Sequence, residues 1–151
     1  MISRHQPAIL AFLAAHRSAI AALTHQAHTL VGGHYAALPP EAQARQATQD
    51  AQEFAAALGS GTVDLAGIDR VIGAGVDLAV IQDIVRMTIA QENLFVAFVE
   101  QTLPYQPDLA RDLVQRTHHV ATRFRLALSR AGMDQVVQRP APTLTRPGRG
   151  S

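Results

Sequence analysis

The stretch DLAVIQDIVRMTIAQENLFVAFVEQTL, Asp77–Leu103, decides the fold class. On a wheel of about 100° per residue, Gln82, Asp83, Arg86, Asn93, Glu100 and Gln101 share one narrow arc, and apolar residues fill most of the remainder. A helix that is apolar over so wide an arc is covered on several sides, so the stretch reads as the central helix of an all-α domain. Asp77 is placed to cap its start and Pro104 to end it. Gln91 and Glu92 interrupt the apolar arc, among Ile84, Val85, Thr88, Leu94, Phe95, Val96 and Val99. A carboxylate in such a place is expensive unless paired or protonated. Two readings of Glu92 follow: it faces a ligand cavity or switchable interface, or it bonds an arginine such as Arg116 or Arg123.

Outward from this helix, punctuation marks the others. Pro39-Pro40 breaks the chain, and Pro40 suits the first turn of a helix over about Glu41–Leu58, stopped at Gly59. Asp64 caps a short helix ending near Ile72, before Gly73-Ala74-Gly75. Pro107 opens the last long helix, running to Gly132 or Val137, with Leu109, Leu113, Thr117, Val120, Phe124, Ala127, Leu128 and Ala131 as its apolar stripe. Its opposite, solvated face carries His118, His119 and the lone apolar Leu126. Towards the N-terminus, Ile9, Leu13, His16, Ile20, Leu23, Ala27, Leu30 and His34 recur at spacings of four and three. That is a heptad seam on one helix over 7–38, with a kink placed near Arg17-Ser18, packed lengthwise on a near-parallel partner within or between chains. In all, five to six helices form residues 1–138. The proline- and glycine-rich segment 139–151 has the composition of a linker.

Composition narrows the function. The 151 residues are 48% apolar and 17% charged, which suits a globular domain. The absence of cysteine excludes disulfides, thiolate metal sites and thiol nucleophiles. All 13 basic residues are arginine, and three lie beyond 138. The body therefore carries 10 Arg against 12 acids, a net charge of −2, and lacks the basic stripe that nucleic acid needs. No apolar run reaches the length of a membrane span, and no signal peptide opens the chain, so a cytoplasmic location is expected. There is no Gly-rich loop after a strand, no HExxH and no GxSxG, and no catalytic residue is expected.

Seven histidines leave cofactor chemistry to consider. His25 and His28 stand three apart, at the polar side and its edge, with no third ligand near; no metal site is expected. Adjacent His118 and His119 point too far apart for one ion. His16 and His34 lie on the seam, where each is a core histidine, a pH-sensitive interface residue or an axial haem ligand.

The segments HYAALPPE (34–41) and DAQEFAAAL (50–58), the short helix, the Gly75-Val76-Asp77-Leu78 turn and the long last helix resemble the non-haem globin-like sensor domain at the N-terminus of RsbR-type proteins. Those antagonists build bacterial stressosomes and related STAS-domain regulators. The similarity runs over 7–137 and is one of helix order and spacing. It implies a globin-like bundle that forms a homodimer, has no bound haem and no catalytic residues, and continues through its last helix into a STAS or PAS domain. In the full assembly other stressosome subunits would be partners. By their places inside apolar helix faces, and not by the resemblance, Glu92, Gln91, His34 and His16 are the candidate ligand or interface residues. A haem sensor with His34 or His16 as axial ligand, and a purely structural dimerisation module, are the alternatives.

Overall fold

The computed structural model describes residues 3–73, 75 and 77–138. These form an all-α bundle of seven helices with no strand among the described residues: α1 (Gln6–Ala15), α2 (Arg17–Val31), α3 (Gly33–Ala36), α4 (Pro40–Ser60), α5 (Leu65–Gly73), α6 (Leu78–Thr102) and α7 (Pro107–Gln138). The linker expected over 139–151 lies outside the described residues.

Local chemistry sets most boundaries. Pro40 and Pro107 open α4 and α7, where a missing amide costs nothing. Asp64 accepts from the Gly67 amide at 3.0 Å and Asp77 from that of Ala79 at 3.4 Å, as N-cap carboxylates do. The end of α4 differs from expectation: the helix passes Gly59 and closes at Gly61, whose φ of +73° lets its amide reach the Ala57 carbonyl at 2.7 Å.

The larger correction concerns the N-terminal seam. The expected single helix over 7–38 is three helices: the kink expected near Arg17-Ser18 is a full break at His16, where α1 and α2 are bent by 71°. The His16 imidazole donates to the Phe12 carbonyl at 2.8 Å and packs against the rings of Phe12 and Phe98. Side-chain packing thus makes an elbow where the sequence holds neither Gly nor Pro. The second break is glycine-made: Gly32 and Gly33 take φ of +66° and +47°. A Cβ on Gly33 would sit 2.5 Å from an Asp83 carboxylate oxygen, so the absence of a side chain lets α3 dock on α6. No four-repeat heptad survives these bends, and Leu30, a seam position, is 65% exposed.

α6 lies between α2 and α7, and α4 packs across α2. Phe95 of α6, fully buried, is the hub. It meets Phe54 edge-on at 5.3 Å and Phe12 and Phe98 at 6.4 Å, with Ile9, Ile20, Leu58, Val99 and Leu113 in the same cluster. Edge-to-face pairs add to the burial of the rings themselves. Phe95→Ala is expected to lower unfolding free energy by about 3–5 kcal/mol, measured by urea denaturation. Phe95→Leu, which keeps most of the volume, is expected to cost markedly less.

Candidate functional site

The polar pair inside the apolar arc of α6 is buried as the wheel requires, and each member reaches a different neighbour. Gln91 donates from Nε2 to Thr24 Oγ1 at 2.9 Å, and the Thr24 hydroxyl donates to the Ile20 carbonyl at 2.8 Å, so this residue ties α6 to α2. Glu92 turns the other way. Its Oε1 accepts from Arg125 Nη1 at 2.8 Å and its Oε2 from His118 Nδ1 at 2.6 Å, both on α7. The Glu92 side chain is only 8% exposed, against 23% for Arg125 and 54% for His118. Seven residues, two helical turns, separate the two donors, which therefore share one face of α7.

In this geometry the Glu92 carboxylate is satisfied by an ion pair and a second donor. The partner is neither of the arginines expected. Arg116 instead donates to Gln6 Oε1 at 2.7 Å and to the Leu58 carbonyl at 3.1 Å, and Arg123 lies on the exposed side of α7. His118, placed by the wheel on the solvated face, leans back to the α6 seam from a half-exposed position. A carboxylate so desolvated strengthens each bond it accepts and makes the loss of either donor costly.

The other two site residues are elsewhere. His16 forms the α1–α2 elbow. His34 is half-buried on α3, where its backbone amide donates to Asp83 Oδ2 at 2.9 Å and its ring lies 5.0 Å from that of Tyr35. Neither shares a hydrogen bond or ring contact with Gln91 or Glu92. Two open grooves flank α6, one against α7 and one against the end of α2, and neither is lined by His16 or His34. Among the described residues no three His, Asp or Glu come together as metal ligands.

A second buried polar cluster escaped the sequence reading. His28, expected at a polar edge, is buried and donates from Nε2 to Asp50 Oδ2 at 2.8 Å, while its Nδ1 is enclosed without a partner. Its ring stacks on that of Tyr35 at 4.1 Å. Burial pushes the Tyr35 phenol well above the usual tyrosine range, and the carboxylates of Asp50 and Asp83 push it further. Spacing could not reveal this group, because its members come from α2, α3, α4 and α6. At the N-terminus, His5 Nδ1 and the Ser3 hydroxyl donate to Asp112 Oδ2 at 2.5 and 2.9 Å. Those bonds, that of His5 first, hold the Asp112 carboxyl below its ordinary value.

Two outcomes follow. Arg125→Met is expected to lower stability by about 1.5–3 kcal/mol, the usual worth of a hydrogen bond to a charged group. His118→Ala, which removes a more exposed donor, is expected to cost less, and urea titration of the two variants checks the order. For Tyr35 the folded pKa lies above the unfolded value of about 10. Its contribution is therefore complete below that pH and is lost as pH rises beyond it, because only the unfolded chain ionises there. Helicity measured against pH is expected to fall in this alkaline window, and Tyr35→Phe is expected to remove that component. Comparison with known protein families, with curated proteins and with solved structures finds no match to this chain.

Proposed function

We propose that this chain is a non-catalytic sensory and scaffolding domain of a bacterial signalling regulator of the RsbR type. In this reading it is globin-like, cytoplasmic and homodimeric. Its last helix continues into a downstream STAS or PAS domain that meets other stressosome subunits. The observation that supports the reading best is the clasp of Glu92, on the central helix, by His118 and Arg125 on the helix that would lead outward. A long output helix fastened to the core by a buried carboxylate has a discrete fastened arrangement. A signal then works by favouring a second one.

The half-exposed His118 is the donor that a ligand or a partner reaches first, since its side chain is 54% exposed. When it leaves Glu92, Arg125 alone holds the carboxylate, and the balance between the two packings of α6 and α7 shifts. Because burial amplifies each bond to the carboxylate, a change at one surface imidazole is felt along the whole interface. The helix order, the buried polar pair and the mildly acidic body all accord with this role.

The test is sedimentation equilibrium combined with amide hydrogen exchange on the protein and its Glu92→Gln variant. Faster exchange across 114–130 and an altered dimer affinity in the variant are expected. If Glu92→Gln and His34→Ala both leave dimer affinity and its pH dependence unchanged, the lever lies elsewhere and the reading fails. A Soret band in protein expressed with haem precursor, abolished by His34→Ala or His16→Ala, would move the chain to the haem sensors.

A further inference from the structure

Three histidines bond a carboxylate among the described residues, and His118 alone does so from a half-exposed ring. Its side chain is 54% exposed, against 22% for His5 and 4% for His28. A carboxylate only accepts, so the Nδ1 that lies 2.6 Å from Glu92 Oε2 carries the proton. Nε2, on the far side of the ring, then holds a lone pair and bonds no other group among the described residues. No acid lies within a turn of His118 along α7, and α6 supplies one across the interface. A carboxylate behind an imidazole fixes its tautomer and orientation. It also offsets the positive charge that the ring gains when the opposite nitrogen forms a bond.

Charge around the ring selects the electrophile. Arg111 and Arg125 stand seven residues before and after His118, and Gln115 and Thr122 three before and four after, so all four share its face of α7. Arg111 is 67% exposed and touches Asp108 only at 3.9 Å. Between Asp112 and Asp134 the helix carries no acid, and Glu92 is already paired with Arg125. An anion approaching Nε2 is thus met by arginine and by neutral donors. A neutral acyl or alkyl group gains nothing from that setting. A phosphoryl group, with its negative charge and three acceptor oxygens, gains on both counts.

We propose that His118 is a phosphoryl acceptor, modified at Nε2 by a donor that carries its phosphoryl group on nitrogen or on an acyl oxygen. The Nε2 lone pair attacks phosphorus, the donor's P–N or P–O bond breaks, and the electron pair leaves with the amine or the carboxylate. The ring keeps its Nδ1 proton throughout. The product is a phosphorylated, cationic imidazole that still donates to Glu92. The inference uses the same clasp as the reading above and requires neither the dimer nor a downstream domain, so the two fail separately.

Potassium phosphoramidate, whose P–N bond breaks to release ammonia, is the probe, applied to the whole chain. Peptide mass spectrometry under alkaline handling maps the labelled sites and their rates, and phosphorus NMR gives the ring position. His25 and His119 are exposed and bond no carboxylate among the described residues, so they serve as internal controls. His118 is expected to label at Nε2 about tenfold faster than either, the low end of what a carboxylate behind an imidazole is worth. Glu92→Gln is expected to bring His118 down to the rate of the controls and to leave theirs unchanged, which loss of the fold would not do. Arg111→Gln, at an exposed position, is expected to slow His118 and not His25. Equal rates at the three histidines of the unaltered protein, or labelling of His118 at Nδ1, overturn the assignment. So does an advantage of His118 that survives Glu92→Gln. Should that variant lose helicity, indifference to Arg111→Gln overturns it instead.

Discussion

Two consecutive polar residues in the middle of a buried helix constrain this molecule more than any other feature. On α6, Gln91 and Glu92 point about 100° apart, and each must find partners because neither can be left unmet in an apolar interior. Gln91 finds them on α2 and Glu92 on α7. Apolar packing alone tolerates slippage of one helix along another, since methyl groups are interchangeable at small cost. Directional bonds to named atoms do not. The register of α2 and of α7 against the central helix is therefore set by adjacent side chains, and the phenylalanine cluster around Phe95 packs within that register.

How much of this the sequence discloses depends on whether a feature is local. Caps and breakers act within a few residues, so the starts of α4, α5, α6 and α7 can be read from Pro40, Asp64, Asp77 and Pro107. The burial of Gln91 and Glu92 is also legible, because helical periodicity places them without knowledge of any neighbour. The bend at His16 is legible in place, since a kink is expected near Arg17-Ser18, but not in its size of 71°. The imidazole there packs on the Phe98 ring, supplied by a helix more than eighty residues away, and the sequence around His16 holds neither Gly nor Pro.

The same distinction explains the site. A wheel says that Glu92 faces inward but not which arginine faces it, for that depends on the relative rotation of α6 and α7. Arg116 and Arg123, the arginines expected, share one face of α7 and Arg125 lies on the other side, which the packing turns towards Glu92; His118 is then drawn out of the face assigned to it. The His28, Asp50 and Tyr35 cluster is further from view still. Each member looks ordinary on its own helix, and only the glycine turn at Gly32-Gly33 folds Tyr35 back over His28.

The polar contacts of the N-terminus carry a consequence for how the chain reaches this state. Ser3 and His5 bond to Asp112 across 109 and 107 residues, and Gln6 to Arg116 across 110. Bonds of such span close loops comprising most of the domain, and that closure costs entropy before any contact repays it. Of the partners at the outer end of α1, the Gly59 carbonyl that accepts from Gln6 Nε2 at 2.6 Å is made early with α4, but Asp112 and Arg116 come only with the first turns of α7. Ile9 and Phe12, fully or nearly buried at the end, share their cluster with Phe54 and Leu58 of α4 but also with Phe95 and Leu113, so their cover is complete only once α6 and α7 are made. α1 is thus made well before the partners that complete its hold, and the interval before α7 emerges is when this protein most needs shielding from its neighbours.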